Sequence, residues 1–245
     1  ECIARYRELV KNEQNMEVMP LKAMYPQGGE KVLIYHVTGE KVPEGKLPLD
    51  VGAVVLNCTT ISSIARYCRT GLPLVKKCVT VDGSAVKNPM NVLVPIGMRM
   101  KDVFEATGGF KEEPKMVLYG GPMMGIAVPD LEQPILKNTN AILAFGEAEA
   151  TPPEPTACIK CGKCIAHCPL SLMPCEMETA YKKGNIERLM HLKVNLCMEC
   201  GCCSFICPAH RPLVQTNKLA KAQVMAYKNA LKAKAEAEKQ KEAAK

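Results

Sequence analysis

The sequence has no tryptophan, and only four Phe and seven Tyr among 245 residues. Its most basic stretch, Val214 to Lys245, sets eight Lys against three Glu but carries a single aromatic, Tyr227. A basic surface without stacking platforms is poor equipment for single-stranded nucleic acid, so no nucleic-acid partner is expected. Long apolar runs are missing as well. The longest, about Val51 to Leu56, falls far short of the roughly 20 residues a bilayer-spanning helix needs. There is no initiator Met and no signal-peptide pattern. The chain opens at Glu1-Cys2 inside a helical pattern, which predicts an N-terminally truncated chain. Wholesale disorder is excluded by composition, with 47% apolar and 23% charged residues. The length suits one large domain or two ordinary ones.

What the sequence does have is cysteine. There are 14, and ten of them fall between Cys158 and Cys207. Clustered cysteines in a chain without secretory signals point to metal ligation in a reducing compartment rather than to a disulfide scaffold. Charge is uneven too: five of the net +7 charges belong to the tail from Val214, and the remaining residues are near neutral.

The first region reads as α/β layers. Residues 1–14 carry Ile3, Tyr6, Leu9 and Val10 at helical spacing. Gly28-Gly29-Glu30 opens a short helix running through Val37. Val51–Leu56 reads as a buried strand, since it is Val-rich and lacks alternation. Asn57 ends it, and Thr59 or Thr60 caps a helix to Arg69 with an apolar face of Ile61, Ile64, Ala65 and Cys68. Residues 74–112 change character, with strands at 75–81 and 91–94 and one helix at 103–106. That is a small α+β module. Strands at 117–119 and 141–145 follow and read as a return to the first domain. The acidic, Pro-bearing segment 146–156 is a linker. A cysteine domain spans 157–213, with helices expected at 176–182 and 186–194. A basic helical tail covers 214–245, anchored by Leu219, Val224, Met225, Tyr227 and Leu231.

One motif carries chemistry. Cys158, Cys161, Cys164 and Cys168 are followed by Pro169, and Cys197, Cys200, Cys203 and Cys207 by Pro208. Both copies have the spacing of the bacterial ferredoxin run for [4Fe–4S] clusters, in which the fourth Cys serves the other cluster. The assignment is therefore crossed. Cluster one takes Cys158, Cys161, Cys164 and Cys207; cluster two takes Cys197, Cys200, Cys203 and Cys168. Gly162 and Gly201 allow the tight turn that three closely spaced thiolates need. Zinc is the competing reading, because paired Cys-x-x-Cys units also build zinc ribbons. Two complete four-thiol copies in ferredoxin order favour iron–sulfur. Of the other six, Cys2, Cys58, Cys68, Cys78, Cys175 and Cys202, most read as small buried hydrophobes. Cys202, beside Cys203, is a candidate substitute ligand. No catalytic acid or base is required. Upstream, the helix starts at Gly28-Gly29-Glu30 and at Asn57–Thr60 offer N–H groups suited to a flavin phosphate.

In this order, Tyr25-Pro-Gln-Gly-Gly-Glu-Lys31, Asp82-Gly-Ser-Ala-Val-Lys-Asn-Pro89, Gly120-Gly-Pro-Met-Met-Gly125 and the double cysteine run resemble the C subunit of the Rnf complex, a bacterial ferredoxin:NAD⁺ oxidoreductase that moves Na⁺ or H⁺. The front of that family is similar to the flavin subunit of respiratory complex I. The resemblance implies a partial flavin/nucleotide-binding α/β domain over 1–73, a β-grasp (soluble-ligand-binding) module over 74–112, and an α-helical two-cluster ferredoxin-like domain. It implies FMN and NAD(H) as cofactors of the full-length protein, with Gly28, Gly29, Glu30, Asn57 and Thr60 matching the flavin pocket. The family's main glycine-rich flavin fingerprint lies upstream of these residues, so the 245 residues alone are not expected to oxidise NADH. Other subunits of a membrane complex, including an iron–sulfur subunit, are the implied partners. The implied place is peripheral, at the cytoplasmic face of the bacterial cell membrane. Two alternatives differ in class: the similar cobalamin reductase of bacterial microcompartments, and a non-enzymatic two-cluster electron relay.

Overall fold

The computed structural model describes residues 1–243. The chain divides into two compact units, one ending at Cys58 and one beginning at Thr59. In the first unit, helix α1 (Cys2–Val10) is shorter than the expected 1–14 and buries none of its residues. Helix α2 (Glu30–Thr38) buries Val32 and Ile34. It stops at Gly39, whose φ of 78° only glycine adopts without strain and whose N–H closes on the Tyr35 carbonyl. A 3₁₀ turn follows at Pro48–Val51.

The expected buried strand over Val51–Leu56 does not form. Residues 52–57 have no regular structure, and Val54 and Leu56 are exposed. A strand needs a neighbour to take its backbone hydrogen bonds, and none of the five strands of the described residues pairs with this segment. An apolar run supplies the side chains of a strand but not its partner.

The second unit begins one residue into α3 (Cys58–Thr70), which is closed by Gly71 as its sequence implies. Its expected core face is another correction. Ile61 and Ile64 are each about half exposed, Ala65 and Cys68 are exposed, and no residue of the helix is buried. Helical spacing of apolar residues shows that a face exists, not what it packs on.

A five-stranded mixed sheet comes next. Its strands are β1 (Lys76–Asp82), β2 (Met90–Pro95), β3 (Met116–Tyr119), β4 (Ile126–Ala127) and β5 (Ala141–Phe145), in the order β2-β1-β5-β3-β4. Helix α4 (Met100–Ala106) lies between β2 and β3 in the chain. β1 runs parallel to β5 and the other pairings are antiparallel. Residues 113–145, expected as return strands to the first domain, thus belong to the same sheet as β1 and β2. Val79, Val81, Met100, Phe104, Ile135 and Ile142 form its fully buried core. Gly83 leaves β1 at φ 116°, where a Cβ would lie 2.1 Å from the Ala144 carbonyl oxygen. Only glycine allows that closeness.

The segment after β5 holds one short helix, α5 (Glu147–Ala150). The cysteine region is helical: α6 (Lys163–Ala166), α7 (Pro174–Lys182), α8 (Ile186–His191), α9 (Cys202–Phe205) and α10 (Leu213–Ala243). The basic tail is therefore one continuous helix. Its first turns bury Leu213, Val214, Ala220 and Val224, with Met177, Leu189 and Val194 in the core beneath. Of the anchors expected in the tail, Val224 is buried, while Leu219, Met225 and Leu231 are about half exposed. No helix among the described residues is long and apolar enough to cross a membrane.

Candidate metal centres

The two cysteine copies share one backbone path. Lys160 and Glu199, at equivalent positions, have φ of 55° and 60°; Ser171 and His210 have 53° and 50°. Gly162 and Gly201 sit at 74° and 83° and start α6 and α9. The tight turn expected at both glycines is present, and it is left-handed. It brings three sulfurs of each copy onto one short loop and the first turn of a helix.

The fourth cysteines cross. Cys158, Cys161, Cys164 and Cys207 line one cavity of about 350 Å³, which Cys175 also faces. Cys168, Cys197, Cys200 and Cys203 line another, together with Cys202. This second cavity is narrow, about 20 Å³, so a four-iron core would enter it only with the thiols turned outward. Among the described residues no three His, Cys, Asp or Glu side chains close around a single-ion position. The eight thiols instead stand as two sets of four, a donor set that suits iron–sulfur groups. Burial pushes the Cys164 and Cys197 thiols up, and with the neighbouring Cys197 and Cys200 it pushes Cys203 up to about 12. At neutral pH these thiols keep their protons until a metal displaces them.

Charged side chains brace both sets. Glu178 on α7 is buried and takes a two-pronged contact from Arg211, with Nε–Oε2 2.7 Å and Nη2–Oε1 2.6 Å. Arg211 also donates to the Thr156 carbonyl at 2.9 Å, two residues before Cys158. The ion pair therefore ties α7 to the chain on both sides of the first cavity. Burial raises the Glu178 pKa, but Arg211 and Lys182 outweigh it and hold the carboxyl below its ordinary value. At the second set, Lys221 on α10 donates to the Cys197 carbonyl and to Glu199, both at 2.9 Å. Its neighbour one turn back, Asn217, lines the second cavity. None of these four residues stood out in the sequence. The only signal was the helical spacing of Leu213, Asn217 and Lys221, hidden in a Lys- and Ala-rich tail.

The six other cysteines depart from expectation. Cys2, Cys58, Cys68 and Cys78 are exposed, and only Cys175 and Cys202 are half-buried, each at the wall of one cavity. The flavin candidates lie on the surface. Gly29 is the N-cap of α2, with Gly28 before it and Glu30 as its first residue. Asn57 precedes α3 and accepts from the Cys58 thiol at 3.7 Å. Thr60 is exposed in the first turn of α3.

Comparison with known proteins covers both regions. Residues 1–66 match the family model of the Nuo51 FMN-binding domain and residues 78–127 that of the SLBB domain. The C subunit of the proton-translocating ferredoxin:NAD(+) oxidoreductase complex of Clostridium ljungdahlii is 44% identical over 65% of this chain and 35% of its own length. The Na(+)-translocating counterpart of Acetobacterium woodii is 40% identical over 93% of this chain and 52% of its own. The C subunit of the ion-translocating oxidoreductase complex of Rhodobacter capsulatus is 36% identical over 91% and 43%. The chain thus spans about half the length, or less, of these relatives.

Proposed function

We propose, since this chain belongs to the family of C subunits of ion-translocating ferredoxin:NAD(+) oxidoreductase complexes, that it relays single electrons between a flavin and partner iron–sulfur proteins through two [4Fe–4S] clusters. One observation carries the reading: each cavity gathers three cysteines of one copy and the last cysteine of the other. Cys158, Cys161, Cys164 and Cys207 hold cluster one; Cys168, Cys197, Cys200 and Cys203 hold cluster two. When bound, the clusters supply one-electron transfer. The chain's share is to fix the thiolates, exclude water and set the local charge. Arg211 and Lys221 supply that charge, one at each set.

FMN is the flavin of this reading, supported by the match of residues 1–66. Gly28, Gly29, Glu30, Asn57 and Thr60 are its candidate contacts, because they stand at the N-terminal ends of α2 and α3, where free N–H groups suit a phosphate. NAD(H) exchanges hydride with that flavin in the full-length protein. The module of β1 to β5 is the soluble-ligand-binding part, supported by the match of 78–127. Residues 146–156 link it to the cluster domain. The chain works at the cytoplasmic face of the membrane, peripheral to it through its partners in the complex. Those partners link the electron flow to movement of Na⁺ or H⁺.

Iron, acid-labile sulfide and flavin analysis of the full-length protein tests the reading. Two filled cubanes give about eight Fe per chain; two zinc ions and no iron would end it. The crossing has its own test. Cys168→Ser should damage the cluster of the second copy more than that of the first by EPR, and the reverse outcome would remove the crossed assignment.

A further inference from the structure

The second cavity has a wall that the cysteine motif does not supply. Asn217 projects from the second turn of α10, is 1% exposed, and lines the cavity beside Cys168, Cys197, Cys200 and Cys203. Its Oδ1 is buried and has no hydrogen-bond partner. Apart from cysteine, Asn217 is the only polar side chain among the described residues lining this cavity; the others include Pro169, Leu170, Leu172 and Val214. Buried amides are ordinarily satisfied, and one that is not calls for a physical account. The first cavity offers a contrast, since its buried carboxylate, Glu178, is fully engaged by Arg211 and Lys182.

An asparagine side chain is both acceptor and donor. Half a turn about its last torsion exchanges Oδ1 for the two N–H groups at the same place. Beside four thiols, the cavity offers this oxygen only weak S–H donors, and none of them bonds it. Beside four thiolates and sulfide, all acceptors, the NH₂ group is the complementary face. We propose that the side-chain amide of Asn217 donates an N–H···S hydrogen bond to the iron–sulfur group held by Cys168, Cys197, Cys200 and Cys203, and thereby raises its reduction potential. The inference rests on the two-cluster reading above. Its physics is electrostatic: one-electron reduction adds a negative charge at this thiolate set, and a nearby N–H dipole stabilises the more negative state more strongly. Asn217 is thus a tuning residue and not a ligand. The placement of α10 makes this possible, because Lys221 pins the helix to the Cys197 carbonyl one turn further on.

The test is a redox titration, followed by EPR, of the anaerobically prepared full-length protein with dithionite as reductant. Asn217→Leu keeps the approximate size and removes the donor. Asn217→Asp keeps the shape and places a charge where the donor was. One of the two cluster signals should move to a more negative potential in Asn217→Leu and further in Asn217→Asp, while the other stays at its wild-type value. In D₂O, pulsed EPR should show fewer exchangeable protons near the shifted cluster of Asn217→Leu than near that of the wild type. Unchanged potentials at wild-type iron content would overturn the proposal, as would equal shifts of both signals. Loss of about half the iron in both variants would overturn it too, by making Asn217 a packing residue. A wild-type protein without two clusters would instead defeat the reading beneath it, and the iron content alone separates that failure from this one.

Discussion

At the residue scale, the eight cysteines proposed as ligands and the residues that brace them differ in how they can be read. Thiol spacing is local, so a crossed grouping could be expected from the chain, and the cysteines lining the two cavities group in that way. The partners of Glu178 are not local: Arg211 lies 33 residues away in sequence, and nothing in either neighbourhood marks the pair. Yet the pair has consequences that can be measured. Arg211→Ala leaves a buried carboxylate with only Lys182, which is itself largely exposed. Breaking a buried pair from one side costs about 3 kcal/mol or more. The variant should unfold at lower denaturant concentration and lose the first cluster faster, because Arg211 also holds the Thr156 carbonyl beside Cys158. The pH dependence follows from the lowered Glu178 pKa. A depressed carboxylate contributes stability above its unfolded-state value and loses it as pH falls through the folded-state value. The stability gap between wild type and Glu178→Gln should therefore be full at neutral pH and close on acidification, in denaturant titrations run at a series of pH values.

At the element scale, strand positions were legible where the strands pair with one another in the sheet. β1, β2, β3 and β5 appear close to the stretches 75–81, 91–94, 117–119 and 141–145 where strands were expected. Failures share one cause. The 51–56 stretch and the α3 face carry the right residue types, but residue type does not identify the surface that covers them. The tail was legible as a basic helix with Val224 among its apolar anchors, and Val224 does enter the core. Its Ala and Lys composition did not show that Asn217 lines the second thiol set and that Lys221 bonds the Cys197 carbonyl. The division of labour along α10 gives a direct expectation. Removing 233–245 takes away residues beyond Val224, the last buried position among the described residues, so cluster absorbance and iron content should stay at wild-type levels. Cutting before Asn217 should remove the second cluster. Iron analysis and visible absorbance of the two truncations check this, and loss of a cluster in the shorter deletion would contradict the packing of the helix.

At the scale of the whole molecule, the sheet and the cysteine region meet at a glycine. Gly162 and Gly201 occupy equivalent places in the two copies, and both have a left-handed φ. A side chain at either strains the backbone by about 1–2 kcal/mol. Beyond that shared cost the two differ. Around Gly162 a Cβ would meet nothing within 4 Å, whereas at Gly201 it would lie 2.5 Å from the backbone oxygen of Met123. Met123 belongs to the segment between β3 and β4, so the second copy is seated against the sheet at this point, whereas the first has no such contact at its equivalent glycine. Backbone cannot swing aside as a flexible side chain does. Gly201→Ala must therefore push the second cysteine loop and the β3–β4 segment apart, while Gly162→Ala only strains its own loop. Both variants should lose stability, with the larger loss in Gly201→Ala. Only Gly201→Ala should expose the 120–125 segment to proteolysis and weaken the second cluster. Limited proteolysis with mass mapping, run beside iron analysis on both variants, decides the point. Equal effects of the two substitutions would mean that the contact at Met123 does not hold the sheet and the cluster region together.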